Sequence, residues 1–525
     1  MFMRKIKPAF FRIITVILIA SACFSGGSYN PIQYRGFGAD GVVSGSLHII
    51  DIGGTKIMLD AGAFYGKDKI QFPLDIGKND IAGLKCIIIS HVHLDHTGRL
   101  PEIVRYLGYK GPIFCTGETA ILLPVMLKMA VKYGDFGMEN FYYSKNNAKN
   151  RFSGKDIAVH SMPDCEYGRQ IGKKCAIRCR RSELGSRGYF LCGKCAEMEA
   201  AETMRNIVIV EPGKNVRLSG SVDAEFFYTS HLPGSVMTLL KDKNSGRSVL
   251  YSGDIGSDLS PFLIHNIPVA RRADIAIVEA TYGIEERQDE AGARQKFREY
   301  IASKLREKKK IIIPVFSLDK AQQVFYELSE GIKEKIIPGG VCIRAFSASM
   351  EAINGLYCGR LRVEKGNLTP DFISKGPFDP ALARFTKGGG IEYGDITVLS
   401  SGIADRMISK DTLIKIIGDR DFCCVFVSRQ DPDTPAGIIS NMSGNRVVIG
   451  GKTYAANAEV RNFDCFSSHA RYSSIREMLK GLSGLRTILV VHIDGNSVRA
   501  VEQKYNSDFP DVKVVAPGPY EKLNL

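Results

Sequence analysis

From about residue 34 to 115, short apolar runs alternate with glycine turns, which is the signature of strands rather than helices. The segment "SLHIIDIGGTKIMLDAG" predicts two strands joined at Gly53 and Gly54. "LKCIIIS" predicts a buried strand, and "GRLPEIVRYLG" predicts the start of a helix. Strand patterns resume with "RNIVIVEP", "AEFFYTSH", "SVLYSGDIG" and "ADIAIVEATYG". The period then changes. "ARQKFREYIASKLREKKK" has helical spacing, "IIIPVF" reads as a strand and "LDKAQQVFYELSEGI" as a helix. Strand and helix alternate in this way to about residue 430, which predicts an α/β arrangement on a parallel sheet. The tail continues the pattern with "IREMLKGL", "TILVVHIDGN", "RAVEQKYN" and "VKVVAP". No internal repeat and no long low-complexity segment interrupts it.

Composition adds constraints. At 525 residues the chain is too long for one core, so two or more domains are expected. A net charge of +14 favours an anionic partner, nucleic acid or an acidic membrane, through its long-range field. The N-terminus reads as an export signal. "MFMRKIK" is basic, "AFFRIITVILIA" is apolar but too short to span a bilayer comfortably, and "SAC" ends at Cys23. This predicts an exported protein, lipid-anchored through Cys23, although Ala20 stands where a lipobox usually has Leu. The alternative is a cytoplasmic protein with an uncleaved apolar arm.

The chemistry concentrates in "SHVHLDHTGRLP", Ser90 to Pro101, which holds three of the nine histidines. His91 and His93 are two apart in an extended segment, so their rings can point the same way. Asp95 and His96 follow on the turn into the next helix. Zinc takes imidazole and carboxylate ligands at ~2.0–2.2 Å, and one short loop with this spacing can serve two ions. His48, His160 and His265 have no such pattern and read as structural. Cys423 and Cys424 read as small buried residues.

The motif resembles the His-x-His-x-Asp-His signature of the metallo-β-lactamase fold. "YTSHLPGS" resembles the next family motif and supplies His231. "LYSGDIG" resembles the following one and supplies Asp254. Three later segments are similar to motifs A, B and C of the β-CASP nucleases. They are "VEATYG" with Glu279, "CFSSHARYSSI" with His469, and "VVHIDGN" with His492. The resemblance runs from about Tyr34 to His492. It implies an αββα metallo-β-lactamase sandwich with an inserted α/β β-CASP domain. The expected parts are a signal-like segment and tether (1–33), the first part of the sandwich (34–283), the β-CASP domain (284–460) and the second part of the sandwich (461–525).

The resemblance implies a zinc-dependent nuclease acting on nucleic acid, most readily single-stranded RNA. His91, His93 and His231 would hold one zinc, and Asp95, His96 and His492 the other, with Asp254 bridging. Two such ions ~3.5–4 Å apart can share the hydroxide that attacks the phosphodiester. His469 would be the acid for the leaving oxygen, oriented by Glu279. Endonuclease and exonuclease action stay open, as does RNA against DNA. The chain departs from the family in three places. Arg471 stands for the usual Asp of motif B, "IRAFSASM" is polar and irregular where relatives have Asp-Ser-Pro-Met, and Gly-Glu is missing after His492. Two other functions compete: a small-molecule metallo-hydrolase of the same fold, and a non-catalytic nucleic-acid-binding relative.

The resemblance does not cover residues 165–195. There Cys175, Cys179, Cys192 and Cys195 have the spacing of a structural zinc ribbon, with Cys165 as a spare. The segment is rich in Lys and Arg, with Glu183 its one acid between Arg169 and Cys195. It reads as a basic zinc-ribbon-like insert that could grip nucleic acid. In an exported protein the same cysteines could instead form two disulfides.

Overall fold

The computed structural model describes residues 31–525, apart from 134–192 and short stretches at 66–67, 69–75, 258–259, 266–270, 287–291, 387–390, 401–406, 429, 431 and 433. Two seven-stranded sheets face each other. The first runs, edge to edge, through Lys522–Asn524, Gln33–Gly38, Leu47–Ile52, Thr55–Leu59, Cys86–Ile88, Ile113–Cys115 and Ile207–Ile209. The second runs through Lys513–Val515, Thr487–Val491, Ile275–Glu279, Ser248–Tyr251, Val236–Asp242, Val222–Tyr228 and Asn215–Arg217.

Alternation along the strands builds the layers. Ile275 and Ile277 point between the sheets with Leu489 and Val491, where they meet Ile50, Ile57 and Ile88 of the first sheet. Their neighbours Ala276, Val278, Ile488 and Val490 point outward. There they pack against Ile475, Met478 and Leu479 of helix Tyr472–Lys480 and Val501 and Tyr505 of helix Val498–Asp508. The outer face of the first sheet is covered by helix Gly117–Tyr133, through Leu122, Leu123, Met126 and Leu127. The result is the expected αββα sandwich. The Gly53-Gly54 turn joins Leu47–Ile52 to Thr55–Leu59 as read, with Ile52 opposite Thr55.

Between the strands Ile275–Glu279 and Thr487–Val491 the chain builds a third, six-stranded sheet, in which all described pairings are parallel. Ile311 and Ile313 face one layer of helices while Ile312 faces the other, so the sheet is buried on both sides. The chain then returns to pair Thr487–Val491 in parallel with Ile275–Glu279. Three readings need correction. Strand–helix alternation reaches the strand Glu459–Asn462, beyond residue 430. The "IRAFSASM" segment is regular: strand Ile343–Phe346 leads to Ser347, whose hydroxyl caps helix Ala348–Cys358 by accepting from Met350 N–H. The expected helix after Pro101 is only a wide single turn over Glu102–Tyr106. Cys165, Cys175, Cys179 and Cys192 lie outside the described residues, as does the Cys195 side chain. Cys23 and His160 also lie outside them. No helix among the described residues is long and apolar enough to cross a membrane.

Candidate active site

The functional side chains gather at the carboxyl ends of neighbouring strands. In the first sheet, Asp60 follows Thr55–Leu59, and His91 follows the parallel strand Cys86–Ile88. In the second, Glu279 ends its strand, Asp254 follows Ser248–Tyr251 and His492 follows Thr487–Val491, all three strands being parallel neighbours. His231 arrives from Val222–Tyr228. A side chain at Gly256 would place its Cβ 1.8 Å from the Ser230 carbonyl carbon, so glycine is what lets the His231 loop approach Asp254. His469 is held on a short antiparallel bridge to Gly256, flanked by Ser257 N–H to Ser468 O and Ala470 N–H to Ile255 O.

Donor atoms converge in two groups. His91, His93, His231 and Asp254 form one, and Asp95, His96 and His492 the other. In the first, His93 Nδ1 lies 3.1 Å from His91 Nε2 and 3.2 Å from His231 Nε2. Asp254 Oδ2 lies 3.6 and 3.5 Å from those two Nε2 atoms. In the second, His492 Nε2 is 3.4 Å from Asp95 Oδ2, and His96 Nε2 is 3.3 Å from Asp254 Oδ1. The two oxygens of Asp254 therefore address different groups.

Outer partners decide which ring nitrogen is free. His231 donates Nδ1–H to Ser468 O at 2.9 Å, and His96 donates Nδ1–H to Asp60 at 2.6 Å. His492 donates Nδ1–H to Thr281 Oγ1 at 2.8 Å, because the Thr281 hydroxyl gives its own proton to Glu279. Each of these rings thus presents Nε2, and not Nδ1, to the centre. His96 Nε2, His492 Nε2 and Asp254 Oδ1 are buried without a hydrogen-bond partner. Buried polar atoms are normally satisfied, so three orphans facing one point indicate a ligand. Donors ~2.0–2.1 Å from a shared tetrahedral zinc lie roughly 3.3 Å from one another, close to the separations found. The residues fit a pair of zinc ions.

Burial holds His91 and His231 well below the ordinary imidazole range and His93 at about 4, with histidine neighbours adding to the effect for His91 and His231. These rings stay unprotonated to lower pH than an ordinary imidazole, as a metal donor requires. His96 and His492 go the other way. Burial lowers them too, but Asp254 with Asp60 or Asp95 outweighs it and raises both.

His469 stands beside the first group, its ring centroid 4.6 Å from that of His231. Its Nδ1–H faces Glu279 at 3.2 Å. Glu279 is itself fixed by Ile255 N–H at 2.7 Å and by Thr281. The Tyr282 ring packs edge-on to His469, and its hydroxyl bonds Ser467 Oγ at 2.6 Å. His469, Glu279 and Asp254 also lie close enough together to be a third donor group. With Nδ1–H committed to Glu279, His469 is better suited to proton transfer.

Two family models match the chain, one over the segment with His91 to His96 and one over the segment with His469 and His492. The metallo-beta-lactamase superfamily matches residues 40–113, and the Zn-dependent metallo-hydrolase RNA specificity domain matches residues 453–517. Ribonuclease TTHA0252 of Thermus thermophilus is 26% identical over 87% of this chain and 92% of its own length. Integrator complex subunit 11 of Danio rerio is 23% identical over 91% of this chain and 72% of its own. Endoribonuclease ysh1 of Schizosaccharomyces pombe is 22% identical over 93% of this chain, which spans 58% of that relative. Along most of its length the chain is similar to the β-CASP nucleases of metallo-β-lactamase fold. The fold and these matches make it a metal-dependent hydrolase of a zinc-dependent class.

Sequence reasoning missed Asp60, Ser90, Tyr251 and Thr281, which hold the ligands. Asp60 in "LDAG" had a signal, a carboxylate at a strand end on the same sheet edge as His91. Two of the departures in the β-CASP motifs leave the donor groups intact. Arg471 occupies the position just before helix Tyr472–Lys480 without a side-chain capping bond, and Asp494 accepts from Ser497 N–H and Asn496 N–H after His492. His265 contacts Ser230 Oγ at 3.2 Å, outside every donor group.

Proposed function

We propose that this protein is a two-zinc ribonuclease that cuts single-stranded RNA by phosphodiester hydrolysis. The observation that carries the reading is a bridging carboxylate, Asp254, between two histidine-rich donor groups with a histidine–glutamate pair beside them. The names of the relatives, ribonuclease and endoribonuclease, support RNA as substrate and favour internal cleavage. His91, His93 and His231 would hold one zinc, and Asp95, His96 and His492 the other. When bound, the pair supplies Lewis acidity at the phosphate and a water acidic enough to ionise near neutral pH. Asp254 keeps the two groups in register. Glu279 holds the His469 ring through Nδ1–H, and His469 hands the proton from its other nitrogen to the leaving ribose oxygen. The net positive charge of the chain draws the polyanion toward the site.

The test uses zinc-loaded protein with end-labelled single-stranded RNA and DNA. His469→Ala should keep its zinc and its affinity for RNA, yet lose roughly 10²–10⁴-fold in cleavage rate. A substrate with a 3′-bridging sulfur leaves without that proton and should recover much of the loss. Full activity of His469→Ala on RNA would overturn the assignment. An RNA left intact while a thioester or lactone is hydrolysed would turn the reading to a small-molecule hydrolase.

Two finer proposals rest on sequence spacing alone. Cys175, Cys179, Cys192 and Cys195 hold a third, structural zinc. Elemental analysis should then find three zincs per chain, falling by one on replacement of Cys192 and Cys195 by Ser. The protein is exported and lipid-modified at Cys23, which mass spectrometry of the membrane fraction would detect. A soluble product with an intact N-terminus would refute export.

A further inference from the structure

Behind the donor groups a line of buried polar side chains runs through the sandwich. It starts at Asp60, whose carboxylate receives four donors. Ser90 N–H lies 2.7 Å from Oδ1, and Ser90 Oγ, Tyr251 OH and His96 Nδ1 lie 2.7, 2.6 and 2.6 Å from Oδ2. The Ser90 proton is thereby committed, so Ser90 Oγ receives Nδ1–H of His91 at 3.0 Å. One carboxylate thus sets the tautomer of two candidate ligands. From Tyr251 the line continues. Tyr251 OH meets Ser46 Oγ at 3.1 Å, Ser46 Oγ meets His48 Nε2 at 3.2 Å, His48 Nδ1 meets Tyr34 OH at 2.8 Å, and Tyr34 OH meets Asp40 Oδ1 at 2.8 Å. Asp40, Ser46 and His48 are essentially inaccessible to solvent, as are Tyr34 and Tyr251.

We propose that Asp40, Tyr34, His48, Ser46 and Tyr251 form a one-way hydrogen-bond chain that positions Asp60, and through it the rings of His96 and His91, for metal binding. This rests on the metal-site reading above. The direction follows from counting protons. Five links join Asp40 to Asp60, and each needs one proton. Tyr34, Ser46 and Tyr251 bring one each, and a neutral His48 brings one. The fifth must come from a carboxylic acid at Asp40 or from a doubly protonated His48. Burial pushes His48 down to about 3 and raises Asp40 well above the carboxylate range, which favours the acid at Asp40 as the source. Each group then donates once, in a single direction. With its proton in place Asp40 donates to Tyr34, Tyr34 to His48 Nδ1, His48 Nε2–H to Ser46, Ser46 to Tyr251, and Tyr251 to Asp60, whereas an ionised Asp40 would accept from Tyr34 OH and leave His48 protonated on Nδ1.

Two further observations agree. Asp40 Oδ2 is buried without a partner, which is much less costly for a neutral acid than for a carboxylate. The space for that carboxyl exists because residue 36 is glycine: a Cβ there would sit 1.5 Å from Asp40 Oδ2. The far end of the line also touches the second donor group. The carbonyl of Ala39, next to Asp40, accepts His492 N–H at 2.6 Å and holds His492 at φ 53°, a conformation few side chains adopt. Asp40, Tyr34, His48, Ser46 and Tyr251 are positioning residues, acting on three candidate ligands without touching substrate.

The test has two arms on the full chain. In the first, ¹⁵N-labelled histidine side chains are read by NMR, with His48 assigned by its loss in His48→Phe. The expected result is a neutral ring protonated on Nε2. A proton on Nδ1, or on both nitrogens, overturns the chain's direction. In the second arm, zinc affinity is measured by chelator competition. Tyr251→Phe should weaken zinc binding about 10–100-fold, as outer partners of ligands typically do. Tyr34→Phe, which keeps the ring packing, should weaken it by a smaller factor, and Asp40→Asn, whose amide can donate to Tyr34, should stay near the parent. The zinc-free proteins are melted in parallel. Parental zinc affinity in Tyr251→Phe, or a loss matched by an equal fall in zinc-free stability, overturns the proposal. A parent chain that binds no zinc would sink the metal reading, while the His48 tautomer would still report on the line itself.

Discussion

The two donor groups share Asp254, lie side by side and differ in what a metal must displace. The first offers three imidazoles that burial keeps unprotonated, with His93 at about 4 and His91 and His231 well below the ordinary range. The second offers two imidazoles among carboxylates. Burial lowers these as well, but Asp254 with Asp60 or Asp95 raises His96 and His492 above the ordinary value. In the metal-free chain the second group therefore holds protons to higher pH than the first. Similar residue types therefore make two sites with different loading chemistry, decided by the ratio of carboxylate to imidazole.

The strongest challenge to this comparison is removal of the shared residue. Asp254→Ala should empty both groups and reduce cleavage to background, read by elemental analysis and RNA cleavage together. Retention of one full zinc would mean that Asp254 serves only one group. Next come the single ligands. His231→Ala and His492→Ala should each lose about one zinc equivalent and most of the activity, by impairing a centre that works as a pair. Identical metal loss profiles across pH for these two variants would erase the distinction between the groups.

A subtler probe is Thr281→Val, which removes the acceptor for His492 Nδ1–H. It should weaken the second zinc by about 10–100-fold and leave the first unchanged in stepwise titration. The smallest expected signal is a proton count. The raised pKa of His96 and His492 means that they are protonated to higher pH than an ordinary imidazole, so a metal entering the second group must expel protons. The lowered values of the first group mean that it has none to expel at neutral pH. In weakly buffered solution, loading of the second zinc should release more protons than loading of the first. As pH falls from neutral toward about 4, the second zinc should be lost first. Simultaneous loss of both would contradict the assigned directions.

Much of this was readable in the chain itself. His91 to His96 identify themselves because four ligands in one short loop are placed by local geometry, two on an extended segment and two on the first turn that follows. The near-continuous apolar runs in Ile275 to Glu279 and Thr487 to Val491 read as buried strands because a strand covered on both faces needs apolar residues at successive positions. His231, Asp254 and His492 carry little local signal, and their order along the chain became meaningful only through the family resemblance. The partners that hold the ligands were invisible. His231 is oriented by the main-chain carbonyl of Ser468, 237 residues away, and a carbonyl has no sequence signature. His48 read as a bland core histidine, yet it lies between Tyr34 and Ser46 on a line that reaches His96. Local spacing determines which side chains can share a loop. Only the packing of two sheets determines which strand ends meet, and hence which nitrogen of each ring carries its proton.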